Sequence, residues 1–312
     1  MSRMRHAAQN AQNNSGIRGG HSIASGRYGG EANVMSRLPQ AFARALFVVM
    51  LVVAPSAILP YDGQDSAQIV ALLAIFGAVF TFVEYSAAAP SIIEFRDAPP
   101  FNRLRFATLF VTVACLSLIM RGDGDQDGVS RLVHVLGERI GNSADFPFSP
   151  VRLTILMMPQ GTSPDVIDNI RMAAGISYLL SLTAITIFIV MLRLKRWPRR
   201  AGTFNVWINL PTFDPTAGGD VVARLHRDSQ VNIILGFLLP FIIPAVIKLT
   251  SLVLQPISLD DPQTLIWVIS AWAFLPSSLL MRGVALSRVA QMIHLQRKEA
   301  YARAAEEGLL PV

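Results

Sequence analysis

The stretch RGDGDQDG carries three carboxylates at alternate positions, Asp123, Asp125 and Asp127, followed directly by Gly128. Carboxylates at positions 1, 3 and 5 with a glycine at position 6 form the start of the calcium loop in a helix–loop–helix motif. Position 7 of such a loop gives a backbone carbonyl, and here it is Val129. The pattern predicts a weak calcium site with the three aspartates and Val129 as ligands.

The end of this loop departs from the calcium pattern. Position 12, where a bidentate glutamate normally holds the ion, is His134, and imidazole is a poor ligand for a hard cation. Glu138 stands one helical turn further on and would serve only if the following helix were shifted. Two interpretations stay open: a calcium site of low affinity, about 10⁻⁴–10⁻³ M as in extracellular modules, or a polar linker between two helices.

Glu84 is the second candidate, because it lies inside the apolar run 67–90. It stands about 24 Å from the start of that run at a rise of about 1.5 Å per residue. An ionisable side chain at such a depth in a membrane is costly and is a functional candidate by default. Arg282, at the end of the last apolar run, lies at a similar depth. We expect either an intramembrane polar pair between Glu84 and Arg282 or solvation of Glu84 at the interface.

Pro240 and Pro244 stand four residues apart in the apolar run 231–254. Each proline lacks an N–H and clashes with the preceding turn, so the pair predicts a helix break that frees backbone carbonyls. Transporters use broken helices of this kind to bind solutes. Kinked helices also occur in bundles that bind nothing, so both interpretations stay open.

Other chemistries find no support in the sequence. All five histidines lie outside the apolar runs, which argues against a haem-b bundle. The single cysteine, Cys115, excludes an internal disulfide framework and a multi-cysteine metal site. Phosphate-binding loop, zinc-protease and nucleophile-elbow motifs are all absent. We therefore expect neither catalysis nor a cofactor, apart from the calcium considered above.

The composition predicts a membrane protein. The chain has 312 residues, of which 52% are hydrophobic and 15% are charged, whereas soluble domains carry about 25% charged residues. Five of its six apolar runs come close to the ~20 residues that cross a ~30 Å hydrocarbon core, and the short third run can add Arg105 and Arg121 as flanks that extend to the interface. Backbone groups in lipid must bond within their own helix. The predicted fold is thus an all-α bundle of six transmembrane helices, at about 41–60, 67–90, 104–121, 173–193, 231–254 and 264–282.

The charge distribution predicts the orientation of the spans. Basic residues outnumber acidic ones by 21 to 9 in one alternating set of segments, 1–45, 91–105, 193–229 and 282–312. The ratio is reversed, 5 to 11, in the other set, 61–66, 121–172 and 256–263. Because cytoplasmic loops carry an excess of Lys and Arg, the first set and both termini are expected in the cytoplasm. Lys248 is then expected to extend to the outer headgroups.

The segments outside the spans divide into an N-terminal extension, a C-terminal helix and two long connections. Residues 1–36 are rich in Gly, Asn and Ser and should form a disordered cytoplasmic extension. The repeated MSR at Met1 and Met35 leaves open which methionine is the true start. The transmembrane domain is expected over 37–286, and strong helix formers should continue its last span as a cytoplasmic helix over 287–312.

The two long connections have different predicted structures. The outer connection, 121–172, should contain an amphipathic helix with Val129, Leu132, Val133, Leu136 and Ile140 on one face. The inner connection, 193–229, alternates like a short strand at 203–210 and should then form a helix capped by Asp220.

We interpret the chain as a multi-pass protein of a bacterial inner membrane. A bacterial source is inferred because only three of its 27 basic residues are lysine, and this bias is typical of GC-rich coding sequences. The predicted role is a non-catalytic accessory, assembly or scaffold component. Its partners would be the lipid bilayer and other membrane proteins or further copies of the chain, and not nucleic acid. One alternative is a small-solute transporter or channel, which requires a continuous polar cavity between the spans. A second is a membrane sensor with a cation-responsive outer loop.

Overall fold

The structure of this chain is a computed structural model, and it is helical in the part that it describes. The described residues are 24–59, 64–121, 128–194, 197, 204–214, 216, 218–251, 253 and 258–307. The backbone alone is described at 24–36, 64–66 and 207. Within these ranges the chain forms no strand.

Nine helices occur in the described ranges. They are α1 (Ala24–Ile58), α2 (Gln64–Ser86), α3 (Phe101–Met120), α4 (Gly128–Ala144), α5 (Pro150–Leu156), α6 (Pro164–Leu194), α7 (Val206–Asn209), α8 (Val221–Thr250) and α9 (Pro262–Glu306). Six of them, α1, α2, α3, α6, α8 and α9, are long and apolar enough to cross a membrane. The predicted all-α fold with six spans is confirmed.

The last span, α9, is the central helix of the bundle. It packs against α8, α6 and α3 and also touches α1. Its most apolar window is 56% buried, whereas the corresponding window of α2 is only 17% buried. Among the described helices, α2 packs on α1 alone. The hairpin of α1 and α2 is therefore attached to the bundle through α1.

Two clusters of buried apolar side chains lie at different levels of the bundle. One joins α3, α5, α6 and α9 and includes Leu116, Ile170 and Ile266. The other joins the opposite ends of α6 and α9 to residues 87–100 and 204–214, and includes Phe101 and Phe188. We call the end with the second cluster the basic end, and the end with α4 and α5 the acidic end.

Two helix pairs approach closely at glycines. A Cβ built on Gly175 of α6 would lie 2.6 Å from the Cα of Gly141 in α4. A Cβ on Gly236 of α8 would lie 2.7 Å from a backbone oxygen of α9. The Ser229 hydroxyl also donates to the Gly283 carbonyl at 2.7 Å. Because lipid supplies no hydrophobic force between helices, such small-residue contacts give the packing that joins them.

The amphipathic helix α4 packs through its small residues and through part of its predicted apolar face. Gly137 and Gly141 are buried and Val133 and Ile140 pack against the first buried cluster, whereas Val129, Leu132 and Leu136 are exposed. The periodicity correctly predicted a helix here. It did not indicate that the glycine side would lie against α6, because apolar periodicity gives no weight to residues without a side chain.

Two local predictions are wrong, and two are confirmed. Residues predicted as a short strand at 203–210 contain the helical turn α7. Helix α1 begins at Ala24, inside the segment expected to be disordered, while residues 1–23 lie outside the described part. Asp220 does cap α8 by accepting a hydrogen bond from the Ala223 N–H at 3.2 Å. The last span does continue as one helix to Glu306.

Helix α8 continues through both of its prolines to Thr250, and the kink expected at Pro240 and Pro244 stays a prediction. Pro244 has no N–H to donate to the carbonyl of Pro240, which would accept that bond in a regular helix. The indole N–H of Trp272 in α9 donates to this carbonyl instead, at 3.2 Å. The freed carbonyl is therefore used to join α8 to α9.

Trp272→Phe should lower the free energy of unfolding by about 1 kcal/mol or more, because the Pro240 carbonyl loses its donor. In a Pro244→Ala background the restored backbone N–H can satisfy the same carbonyl, so the substitution should cost less. A double-mutant cycle by unfolding in mild detergent measures the difference. An equal cost in both backgrounds would show that the indole bond contributes nothing.

Candidate functional site at the basic end

Residues 87–100, between α2 and α3, form an ordered loop at the basic end. Buried Glu84, in the last turn of α2, accepts backbone N–H groups of this loop on its Oε2. The donors are Ser91 at 3.1 Å, Ile92 at 3.1 Å and Ile93 at 3.3 Å. The hydroxyl of Ser91 donates to Oε1. The carboxylate is thus used to fold the loop that follows its own helix.

Arg96, near the other end of this loop, binds back to the end of α2. Its buried guanidinium donates to the carbonyls of Glu84 at 3.0 Å, Ala87 at 2.8 Å and Ala88 at 3.2 Å. The last carbonyls of a helix have no partner within it and carry partial negative charge. Arg96 therefore supplies both the donors and the positive charge that the end of α2 requires.

Arg282 of α9 pairs with Glu94 of the loop, and not with Glu84 as predicted. Its Nε lies 2.6 Å from one carboxylate oxygen of Glu94 and its second terminal nitrogen 2.7 Å from the other. This parallel two-bond geometry is the strongest form of a charged hydrogen bond. The Glu94 side chain is only 11% exposed and that of Arg282 31%. The Thr212 hydroxyl also donates to Glu94, at 2.8 Å.

A second arginine, Arg105 of α3, lies in the same charged cluster. Its guanidinium lies 5.1 Å from the ring centre of Phe101 and 5.6 Å from that of Phe274. Aromatic faces attract cations, most strongly where water is excluded. Its electrostatic neighbours include the carboxylate of Glu94 and the guanidinium of Arg282. Arg105 thus adds positive charge beside the Glu94 carboxylate from within the bundle.

Phe95 fixes the loop against the rest of the basic end. Its backbone lies in the left-handed region, with a φ of 52° that is uncommon for a residue with a side chain. Its ring is buried 4.6 Å from Phe101 and 5.8 Å from Trp197, measured between ring centres. Its N–H donates to the carbonyl of Asn209 in α7 at 2.7 Å. These contacts hold the strained backbone in one conformation.

The predicted calcium ligands Asp123, Asp125 and Asp127 lie outside the described residues. The fourth predicted ligand, Val129, is exposed near the start of α4. In the part of the chain that the structure describes, no group of three or more His, Cys, Asp or Glu side chains is placed to hold a metal ion. The calcium site stays a prediction.

Lys248, at the acidic end, donates to the carbonyl of Met158 at 2.9 Å.

Two cavities among the described residues open at the basic end. One, of about 580 Å³, opens beside the start of α8 around Gly219 and Arg227. The other, of about 240 Å³, opens between α1, the end of α2 and the loop 87–100. Both are lined by charged side chains.

Compared with known proteins, the chain matches no protein-family model, no curated protein and no solved structure. Its class therefore follows from its own fold. Six apolar helices of sufficient length, packed around a central span, define a multi-pass, all-α membrane protein.

Proposed function

We propose that this protein is a non-catalytic accessory, assembly or scaffold component of a membrane complex in a bacterial inner membrane. The position of α2 is the observation that carries the proposal. This span contributes no described residue to either buried cluster and packs on α1 alone. Large apolar side chains such as Leu72 and Phe76 cover its outer sides. A span that the bundle's own core does not use is available to a neighbouring membrane protein or a second copy of this chain.

The packing of the remaining spans favours this role over transport. The carbonyl freed at Pro240 is occupied by Trp272, so it is not offered to a solute. The loop 87–100 closes the basic end through Glu94 and Arg282. The two cavities described above open at the basic end of the bundle. A transporter would instead require a polar path between spans that can open to either side.

Site-specific photo-crosslinking in intact membranes tests the proposal. A photoreactive residue at Leu72 or Phe76 of α2 should give a discrete adduct of higher mass, which mass spectrometry then identifies as another membrane protein or a second copy. Phe237 of α8, which is also exposed and apolar, is the matched control and should give lipid adducts alone. Lipid adducts from every position would contradict a role in assembly.

The charge distribution supports placing the basic end in the cytoplasm. Fusions of a compartment-specific reporter at Pro99 and Pro211 should therefore report the cytoplasm. Fusions at Gly141 and Asp260, at the acidic end, should report the opposite side. A strong reversal at one of these positions would contradict the proposed orientation of the whole bundle.

A further inference from the structure

The cavity of about 240 Å³ at the basic end is lined almost entirely by polar side chains. They come from three places that the α1–α2 hairpin brings together: one face of α1, the end of α2 and the following loop. The lining residues are Arg37, Gln40, Arg44, Tyr85, Arg96 and Asp97. Three guanidinium groups thus face one carboxylate, and the cavity carries an excess of positive charge.

The single carboxylate is already paired. Asp97 lies 3.4 Å from the Nε of Arg96, and the other nitrogens of Arg96 donate to carbonyls at the end of α2. Arg44 lies over the ring of Tyr85, 4.3 Å from its centre, and forms no ion pair with a described residue. The same holds for Arg37 among the described side chains. Two cations therefore share this cavity without an acidic partner there.

Arginine side chains so arranged favour a phosphate ligand. The planar guanidinium matches the oxygen geometry of phosphate and binds it with two parallel hydrogen bonds. Tyr85 and Gln40 add neutral donors at the same cavity. Basic pockets between spans at a cytoplasmic membrane face are also typical sites for anionic lipid headgroups.

The surroundings of the cavity suit a ligand that carries acyl chains. Phe47 on α1 is exposed and apolar, and it follows Arg44 by three residues, so the two side chains are neighbours on the helix surface. An acyl chain could lie along Phe47 while its headgroup enters the cavity. We propose that the cavity binds a phosphate group, carried by an anionic phospholipid headgroup or present as free phosphate.

Thermal unfolding of the full chain in mild detergent, with each of three added probes, tests this proposal. The probes are phosphatidylglycerol, a diacylglycerol with the same acyl chains, and inorganic phosphate. Arg37→Gln/Arg44→Gln removes both unpaired cations. Arg103→Gln/Arg193→Gln is the matched control, because it removes two exposed arginines of the same end that do not line the cavity.

Phosphatidylglycerol should raise the unfolding temperature of the wild type and of the control, and diacylglycerol should not. The affinity for phosphatidylglycerol should fall about tenfold for each arginine removed, hence about 100-fold in Arg37→Gln/Arg44→Gln. A response to phosphatidylglycerol alone assigns the phosphate to a lipid headgroup, and an equal response to inorganic phosphate assigns it to free phosphate. Arg37→Lys/Arg44→Lys, which keeps the charge but lacks the fork, should give an intermediate affinity and tests the site if the glutamine variant does not fold.

Three results would overturn the proposal. The first is a diacylglycerol effect as large as that of phosphatidylglycerol, which would assign the binding to acyl chains. The second is an equal loss of binding in the matched control, which would assign it to the general charge of the basic end. The third is a wild type that responds to none of the three probes.

Discussion

Arg282→Gln is expected to lower the free energy of unfolding by about 3 kcal/mol, because it leaves the Glu94 carboxylate nearly buried and without its main cation. The hydroxyl of Thr212 would remain as a donor but brings no charge. The loop 87–100 would then lose its strongest connection to α9. Equilibrium unfolding of the purified protein in mixed micelles measures the loss.

Arg297→Gln is the control for this prediction, since Arg297 also lies on α9 but pairs with Asp220 at the surface. Their side chains are 45% and 52% exposed, so the substitution should cost much less than Arg282→Gln, because ion pairs at the surface contribute little. The hydrogen bond from Arg297 holds the pKa of the Asp220 carboxyl below its ordinary value. The Asp220 carboxyl is thus charged at neutral pH, so that the control substitution, like Arg282→Gln, removes the partner of a carboxylate.

Double-mutant cycles identify the acid that Arg282 contacts. Arg282→Gln combined with Glu94→Gln should show a coupling above about 1 kcal/mol, whereas its combination with Glu84→Gln should be additive within about 0.5 kcal/mol. Coupling to Glu84 with additivity at Glu94 would contradict the contact described here and restore the pair expected from depth alone.

Gly175→Ala is expected to cost about 1–3 kcal/mol through overpacking between α4 and α6. The added methyl group would lie 2.6 Å from the Cα of Gly141 and 2.9 Å from its backbone nitrogen. Backbone atoms cannot rotate away as a side chain can, so the two helices must separate. The same unfolding measurement detects the change, and faster amide exchange in α4 would locate it.

Two other glycines give graded controls for this substitution. The methyl group in Gly77→Ala would meet only the Cγ1 of Val48, at 3.1 Å, and the one in Gly128→Ala would meet nothing within 4 Å. Since alanine also favours helix by about 1 kcal/mol over glycine, Gly128→Ala should be neutral or stabilising and Gly77→Ala intermediate. Equal effects at all three positions would mean that the close contact at Gly175 carries no cost.

The spans could be predicted from the sequence because lipid imposes one simple rule, that an apolar run of sufficient length must be helical. The partner of Arg282 could not be predicted in this way. Depth along the helices places Glu84 level with Arg282, but the loop after α2 folds back and brings Glu94 to Arg282. Glu94 had no sequence signal, since an acid in a short polar connection is normally solvated.

The face by which a helix packs was also beyond the sequence. The apolar side chains of α4 form a clear periodic pattern, and yet of that face only Val133 and Ile140 pack inward, while Gly137 and Gly141 lie directly against α6. The helix α7 was mistaken for a strand because the alternation in TFNVWINL extends over too few residues to separate the two periods. In α4 and in α7, contacts with distant segments determine the structure. A local sequence pattern carries no information about such contacts.

The contacts of the loop 87–100 also differ in when they can form during synthesis. Arg96 reaches the carbonyl of Glu84 across 12 residues of chain, whereas Glu94 reaches Arg282 across 188. The first set is therefore available as soon as α2 and its loop have left the ribosome, because closing a short segment costs little entropy. The second set has to wait for the sixth span to be inserted. The basic end thus acquires its long-range ion pair only in a chain whose last span is in place.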